Sequence, residues 1–221
     1  MNYFLNRKDA GQKLAEALKK YKNAEDALII ALPRGGVVIG FEAAKILNLP
    51  LDIVVPRKIG APANPEFAIG AITETGEGIF DEITIGAYGI TESYLQNEIK
   101  KEKAEAKRRL TLYRGTRPPL NLKNKTAIIL DDGLATGLTM RAAVKTAKKL
   151  GATKIVAAIP VTSPEAAELV KKEVDELIYL DAPAFFGAVG SFYKEFGQTT
   201  DEEVIELLRR AETFSNLRKN E

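Results

Sequence analysis

The residues best suited to chemistry in this chain are two adjacent carboxylates, which close an apolar run and open a turn rich in glycine and threonine. Adjacent carboxylates accept hydrogen bonds from vicinal sugar hydroxyls or hold a hydrated Mg²⁺. The turn brings backbone amides toward one place, and the helix that starts there attracts a phosphate. The sequence therefore predicts a site for a phosphorylated sugar. Its residues are Asp131, Asp132, Gly133, Leu134, Ala135, Thr136, Gly137, Leu138 and Thr139.

None of four other interpretations accounts for every part of this segment. Acidic residues at a strand end also occur in ordinary strand-to-helix turns, and an acidic pair there is typical of response-regulator pockets. Neither needs the Thr-Gly-x-Thr turn that starts at Thr136. A nucleotide-binding P-loop needs Gly-Lys-Ser/Thr and a dinucleotide-binding turn needs Gly-x-Gly-x-x-Gly, and the chain has neither pattern.

A second loop suited to anions follows the first apolar run. Arg34 offers a fork of donors, and Gly35 and Gly36 let the backbone beside it approach a ligand closely. A helix beginning near Val37 would turn its N-terminus toward the same side of the sheet as the acid pair. On its own, Pro-Arg-Gly-Gly is equally consistent with a plain turn.

Two further cations, Arg57 and Lys58, end the second apolar run beside turn-forming residues. Guanidinium and ammonium groups both bind anions, so either side chain could face a charged ligand. A solvated surface loop is the alternative interpretation of this segment.

The composition limits the chemistry further. The 221 residues include no cysteine and no histidine, which excludes thiolate metal sites, a cysteine nucleophile, histidine ligands and a Ser-His-Asp triad. The 32 basic and 30 acidic residues give a net charge of +2, so nucleic acid is not the expected partner. Since the N-terminus is polar and no apolar run could span a bilayer, we expect no membrane association and a cytoplasmic location.

The elements that must position these side chains follow from short apolar runs bounded by Gly, Pro or Asp. Such runs predict buried parallel strands at 27–32, 51–55, 126–130, 154–159 and 176–180. Helical patterns lie between them, at 37–47, 139–150 and 164–172. The alternation predicts an α/β fold, an open and mostly parallel sheet with helices on both faces.

Three regions depart from this alternation. Residues 91–114 carry apolar side chains about 3.5 residues apart, which predicts a long amphipathic helix that either packs on the main sheet or forms a dimer contact. Segments 67–72 and 78–83 predict a β-hairpin.

Five aromatic residues within 185–196 form either a small core or a face that stacks on a base. Thr200 and Glu203 then predict a capping box for a last helix, which ends near residue 214.

At residues 128–139, an apolar strand followed by two acids and Ala-Thr-Gly-x-Thr, the chain resembles the ribose 5-phosphate signature of type I phosphoribosyltransferases. In that family the paired acids hold the 2- and 3-hydroxyls of phosphoribosyl pyrophosphate, and the following loop holds its 5-phosphate. The resemblance implies these roles for Asp131 and Asp132, which would also touch Mg²⁺ through water, and for residues 133–139. It covers 27–180 in order and spacing, and is close at 32–36 and 128–139.

The resemblance implies further parts. The loop at 32–36 would contact pyrophosphate, and Arg34, Arg57 and Lys58 are the predicted catalytic residues because they suit this leaving group. A β-hairpin lid at about 57–84 would cover the reacting centre. The chain would then be a single domain over 1–221, with a core at about 24–182, a helical insertion at about 91–114, and a hood formed by 1–20 and 183–221.

The predicted activity is transfer of the 5-phosphoribosyl group from Mg²⁺-bound phosphoribosyl pyrophosphate to a nitrogenous base, with release of pyrophosphate. This reaction needs positioning and electrostatic stabilisation, so the absence of histidine is no obstacle. Hypoxanthine/guanine-type members carry Asp where this chain has Ala135, so a 6-oxopurine acceptor is disfavoured. If a general base is needed, Glu66 and Glu74 are candidates.

Two other functions stay open, and the sequence does not identify the acceptor base. One is a non-catalytic sensor of phosphoribosyl pyrophosphate or of a nucleotide, with residues 100–109 as a basic patch for nucleic acid. The other is a hydrolase acting on a sugar phosphate. Because most soluble oligomers are homo-oligomers, we expect a homodimer.

Overall fold

The chain folds around one large sheet with a smaller sheet beside it. A computed structural model describes residues 4–217, apart from the side chains of Glu66 and of residues 214–217. The strands are β1 (Ala27–Ala31), β2 (Leu51–Ile53), β3 (Arg57–Ala61), β4 (Asn64–Ile72), β5 (Gly78–Phe80), β6 (Thr126–Leu130), β7 (Lys154–Val161) and β8 (Glu176–Asp181). The α-helices are α1 (Arg7–Ala17), α2 (Gly35–Leu47), α3 (Glu82–Ala87), α4 (Glu92–Arg114), α5 (Leu138–Lys149), α6 (Pro164–Lys171) and α7 (Asp201–Leu217).

The main sheet is parallel, and its strands lie in the order β2-β1-β6-β7-β8. The apolar runs predict all five of these strands, and the sheet with its helices confirms the predicted α/β fold class. Strand β2 ends at Ile53, two residues earlier than predicted, and β7 continues to Val161, two residues later.

Alternation along each strand gives the main sheet two buried faces. In β6, Ile128 and Leu130 lie on one face and Ala127 and Ile129 lie on the other, and all four are buried. Helices α1, α2 and α7 cover the first face, and α5 and α6 cover the second. Because both faces are buried, the strands are continuously apolar instead of alternating between apolar and polar residues.

The small sheet is antiparallel, in the order β3-β4-β5. Strands β4 and β5 correspond to the predicted hairpin. Strand β3 was not predicted, because the glycine and prolines at 60–65 favour a loop; pairing with β4 overrides that local preference. The second strand of the hairpin ends at Phe80 instead of 83, since Asp81 accepts the Thr84 amide (3.1 Å) and so caps α3.

Helix α4 confirms the predicted long amphipathic helix, and Thr91 caps it by accepting the Tyr94 amide (3.3 Å). Its first half packs on the small sheet through Leu95. Its second half reaches α7, where the Tyr113 hydroxyl donates to Asp201 (2.6 Å). The helix therefore joins the small sheet to the last helix, and its residues Ala106 and Tyr113 belong to the core on the first face of the main sheet.

The two ends of the chain pair with each other. The Phe4 amide donates to the Phe192 carbonyl (2.9 Å), and the Phe4 carbonyl accepts from the Lys194 amide (2.9 Å). Helix α1, which was not predicted, follows at once. Its sequence signals are a cap, in which Asn6 accepts the Asp9 amide (3.1 Å), and buried apolar residues at 10, 14 and 18.

Helix α7 begins at Asp201, where Thr200 accepts the Glu203 amide (3.2 Å) as the predicted capping box requires. It continues to Leu217, three residues past the predicted end. Within residues 4–217, no helix combines the length and the apolar character needed to cross a membrane.

Candidate functional site

The two loops singled out from the sequence meet where neighbouring parallel strands end. Strands β1 and β6 pair along their whole length, so the loop at 32–36 lies beside the acids that follow β6. The chain leaves β1 toward β2 and leaves β6 toward β7, on opposite sides, and open α/β sheets bind ligands in the crevice at such a point. A Cβ at Gly35 would overlap the Asp132 carboxylate, so only glycine permits this close approach.

The turn after the acids is anchored to the end of β7. The Leu134 amide donates to the Val161 carbonyl (3.0 Å), and the Ser163 amide donates to the Leu134 carbonyl (2.9 Å). The Ser163 hydroxyl donates to the Ala135 carbonyl (2.8 Å). Gly137 has a φ of 76°, a left-handed conformation that favours glycine, and α5 begins directly after it.

The same turn has backbone donors without protein acceptors. Within the described part of the chain, the amides of Ala135, Thr136 and Gly137 donate to no other group. They precede the first turn of α5, whose amides also lack partners inside the helix. Because the helix dipole adds positive potential there, this turn is suited to an anion such as a phosphate.

Asp131 and Asp132 differ in their partners. Oδ1 of Asp131 accepts the Asp132 amide (2.9 Å), whereas Oδ2 of Asp132 pairs with Nε of Arg7 (2.8 Å). Burial, reinforced by the charge of Asp132, raises the pKa of Asp131 well above its ordinary value. Burial also raises the pKa of Asp132, and Arg7 opposes that rise. Asp131 is therefore the acid that gains more from hydroxyl donors or from a cation carried by a ligand.

Arg7 and Tyr193 belong to this site, although neither is among the predicted site residues. The Tyr193 hydroxyl donates to the Asp132 carbonyl (2.6 Å), and burial, with the nearby Asp132 carboxylate, raises the pKa of Tyr193. No local motif could reveal these contacts, because Arg7 and Tyr193 lie 125 and 61 positions away from Asp132 in the sequence. The aromatic cluster at 185–196 was the one signal, and it did not indicate the acid pair.

Arg34, within the loop at 32–36, reaches the start of the last helix. The Pro33–Arg34 peptide bond is cis. Nη1 of Arg34 is 3.5 Å from Oδ1 of Asp201, which also accepts the Tyr113 hydroxyl. The structure thus connects this loop with the start of α7.

Arg57 and Lys58 lie on opposite faces of β3, because neighbouring residues of a strand alternate. Nε of Arg57 donates to Oε2 of Glu102 on α4 (2.7 Å). Lys58 pairs in register with Ala71, which packs against Leu138 at the start of α5. The Lys58 face is therefore the one turned toward the signature helix, and the Arg57 face is turned toward α4.

Of the two candidate general bases, Glu66 and Glu74, the structure describes the side chain of Glu74. The side chain of Glu66 lies outside the described residues. Glu74 is buried, and its Oε2 accepts the Val55 amide (3.0 Å) just after β2. Burial raises the pKa of Glu74.

Three cations of the basic segment at 100–109 pair with acids of their own helix. Arg108 and Arg109 both lie 2.7 Å from Glu105, and Lys101 lies 3.2 Å from Glu98. Such pairs are typical of a solvated helix face, and the nucleic-acid patch stays a prediction.

A cavity of about 1100 Å³ opens beside the turn at 135–137. It lies between the small sheet, α3, α5, α6 and the aromatic tail. Its large apolar lining residues are Phe67, Phe80, Ile83, Leu138, Leu169, Phe185 and Phe186. Phe185 is 89% exposed, whereas Phe192 and Tyr193 are buried, so the tail supplies both a small core and an open aromatic surface.

The charged side chains of this cavity are mostly acidic. Asp81, Glu82 and Glu165 line it. Among the described lining residues the one cation is Arg141, and it pairs with Glu173 (2.6 Å). The lining therefore has more negative than positive charge.

The fold and the site together indicate a protein family. The chain has a parallel α/β sheet, and its central strand, β6, leads into the signature at 128–139. A family model described as the phosphoribosyl transferase domain matches residues 4–194. The chain belongs to this family, which confirms the resemblance seen at 128–139.

The similar proteins agree with this assignment. MT0597 and Rv0571c, from two strains of Mycobacterium tuberculosis, are each 38% identical to the chain over 211 residues and are provisionally named phosphoribosyl transferases. The match covers 96% of this chain and 47% of each relative, so the chain spans about half the length of these curated relatives. The crystal structure of TT1426 from Thermus thermophilus is 40% identical, with a TM-score of 0.77, and the match covers 94% of this chain and 98% of that one.

Proposed function

We propose that the chain transfers the 5-phosphoribosyl group from Mg²⁺-bound phosphoribosyl pyrophosphate to a nitrogenous base and releases pyrophosphate. The observation that carries the proposal is the acid pair beside a turn whose amides, at 135–137, have no protein acceptors in the described chain. Membership in the phosphoribosyl transferase family supports the same activity.

In this proposal the signature binds the ribose 5-phosphate half of the substrate. Asp131 and Asp132 accept hydrogen bonds from the ribose hydroxyls. The amides of 135–137 and the Thr136 hydroxyl donate to the 5-phosphate. Charged hydrogen bonds of this kind contribute about 1.5–3 kcal/mol each, so few contacts are needed for selective binding.

The acid pair also fits a magnesium ion. Asp131 is half-buried and has a raised pKa, so a divalent ion beside it would favour its ionised form. Within residues 4–217 no cluster of three or more acids could hold a metal by itself. Substrate oxygens and water would complete the ligand set, and Asp131 and Asp132 would hold the ion through water. When bound, Mg²⁺ neutralises charge on the pyrophosphate.

The leaving pyrophosphate is assigned to the loop at 32–36 and to cations near it. The amides of Gly35 and Gly36 start α2, and Arg34 precedes them. Of the other two cations, Lys58 is the better candidate, because its face of β3 is turned toward α5. Arg57 is the weaker candidate, because its guanidinium lies on the other face of β3 and pairs with Glu102.

The acceptor base is assigned to the acidic, aromatic-lined cavity. The exposed ring of Phe185 offers a planar surface for stacking. The cavity opens beside the turn at 135–137. In this proposal a base bound there presents its acceptor nitrogen to the anomeric carbon of the bound ribose. In the reaction the bond from that carbon to the pyrophosphate oxygen breaks and its electron pair leaves with pyrophosphate. A bond to the acceptor nitrogen forms, and the proton of that nitrogen passes to water.

Isothermal titration of the whole chain with phosphoribosyl pyrophosphate and Mg²⁺ tests the binding step. We expect binding below millimolar concentration, and no binding at millimolar ligand would overturn the proposal. D131N/D132N should bind at least about tenfold more weakly, because two charged acceptors are lost. D26N, an acid before β1 that accepts the Thr126 hydroxyl (3.2 Å), is the matched control and should bind normally.

Release of pyrophosphate over a panel of bases tests the chemical step. We expect release with at least one base and none without an acceptor. Binding without release over the whole panel would favour a sensor, and release without an acceptor would favour a hydrolase.

A further inference from the structure

We infer that Arg7 is a positioning residue of the ribose site, which holds the Asp132 carboxylate in the orientation that meets a ribose hydroxyl. This inference rests on the proposed function. Arg7 is the first residue of α1, and its guanidinium reaches the signature from the opposite end of the chain.

The contact between the two side chains is short and mostly sheltered from solvent. Nε of Arg7 lies 2.8 Å from Oδ2 of Asp132, and the two side chains are 13% and 17% exposed. A Cβ at Gly35 would lie 2.6 Å from the same Nε atom. Arg7, the loop at 32–36 and the acid pair thus meet at one point, where the ribose would bind.

The guanidinium of Arg7 is fixed by groups other than Asp132. Nη1 donates to the Gly197 carbonyl (2.6 Å), and the guanidinium carbon lies 3.8 Å from the centre of the Phe196 ring. A planar guanidinium can stack on a ring while donating in two directions, which a lysine ammonium cannot do. The orientation of Arg7 is therefore set before any ligand arrives.

The backbone that carries Arg7 is also held. Asn6, the cap of α1, donates from Nδ2 to Oε2 of Glu195 (3.2 Å), and the Glu195 amide donates to the Leu5 carbonyl (2.9 Å). The N-terminal segment and the tail are thus joined by two contacts directly before Arg7. A preorganised donor keeps Oδ2 of Asp132 occupied, so Oδ1 remains for the ligand.

The test separates recognition of ribose from recognition of pyrophosphate. Wild-type protein, R7M and R7K are titrated with ribose 5-phosphate and, separately, with pyrophosphate, both with Mg²⁺. We expect R7M to bind ribose 5-phosphate at least tenfold more weakly and pyrophosphate less than twofold more weakly. R7K, which keeps the charge and loses the stacking, should fall between wild type and R7M.

R114M is the matched control, because Arg114 forms a similarly sheltered pair with Asp52 (2.9 Å; 10% and 15% exposed). We expect R114M to lose stability and to keep both affinities. In turnover assays, R7M should raise the KM for phosphoribosyl pyrophosphate more than it lowers kcat.

Unchanged binding of ribose 5-phosphate by R7M would overturn the inference. An equal loss of affinity for both ligands would also overturn it, because that pattern indicates general damage to the site. If R7M does not fold, R7K decides: binding of ribose 5-phosphate equal to wild type contradicts the role, and selective weakening supports it. If wild-type protein binds neither ligand, the proposed function itself fails, and the role of Arg7 fails with it.

Discussion

At the residue scale, Asp132 is held by side chains from both ends of the chain. Arg7 pairs with its carboxylate, and the Tyr193 hydroxyl donates to its carbonyl. Asp131, one residue earlier, has neither contact, and burial raises its pKa. Two neighbouring acids of the same type therefore have different environments, since Asp132 pairs with a cation whereas Asp131 accepts the Asp132 backbone amide.

Y193F tests the second of these contacts. Removing the hydroxyl leaves the Asp132 carbonyl without that donor, which should lower the free energy of unfolding by about 0.5–1.5 kcal/mol. Urea denaturation followed by circular dichroism measures the change. Y88F is the control, since Tyr88 is 70% exposed, and should be neutral. A loss in Y193F no larger than in Y88F would contradict a stabilising role for this hydrogen bond.

At the element scale, the small sheet separates the functions of its two faces. One face packs on α4, and the other packs on α5. Since Arg57 and Lys58 are neighbours in β3, they cannot both face the same helix. The alternation of a single strand thus distinguishes two cations that the sequence treats as equivalent.

K58M and R57M test this division. K58M should weaken pyrophosphate binding about tenfold, because a charged contact is lost. R57M should lower stability, because Glu102 stays buried without its cation, and should leave pyrophosphate binding unchanged. Titration and urea denaturation of both variants give the result, and the reverse pattern would assign the pyrophosphate to Arg57.

The charged face of α4 makes a pH-dependent contribution to stability. Its ion pairs, first with Arg108 and then with Arg109, lower the pKa of Glu105 to about 2. A pKa below the unfolded value means that the stabilisation is present above the ordinary glutamate pKa and is lost as the pH falls toward 2.

E105Q should therefore be less stable than wild type at pH 7, by up to about 1 kcal/mol because the pairs are at the surface. The difference should shrink as the pH falls from about 4.5 to 2. Thermal unfolding at several pH values measures it, with E92Q on the same helix as control. A difference that stays constant across this range would exclude the ion pairs as its cause.

At the scale of the whole molecule, the large cavity is built from parts far apart in the sequence. The small sheet and α3 form one wall, α6 forms another, and the aromatic tail supplies the Phe185 ring. Its acids come from two of these parts, Asp81 and Glu82 from one and Glu165 from another. This charge should select among acceptors, because like charges disfavour binding and opposite charges favour it.

The rate of pyrophosphate release should therefore be higher with acceptor bases that present amino groups than with acceptor bases that carry a carboxylate. E165K should shift the ratio of the two rates toward carboxylated bases by at least about threefold at low salt, and less at high salt because charges are screened. E168K lies on the same helix outside the described cavity lining and is the control. An unchanged ratio in E165K would mean that this charge does not select the acceptor.

The sequence determined the parts of this protein that depend on neighbouring residues. Apolar runs predict the five strands of the main sheet, and the three inner strands β1, β6 and β7 are apolar because both of their faces are buried. Thr200 and Glu203 predict the start of the last helix, because capping is a contact across three residues. The signature at 128–139 predicts the acid pair and its turn, because all of these residues are contiguous in the sequence.

The tertiary structure decided what depends on pairing between distant segments. Strand β3 forms because β4 lies beside it, against the local preference of its glycine and nearby prolines. The contacts of Arg7 and Tyr193 with Asp132 span 125 and 61 positions, so no spacing in the sequence could reveal them. The acid pair and its turn thus lie in one segment that the sequence shows directly, whereas the groups that hold Asp132 in place come from segments that only the tertiary structure brings together.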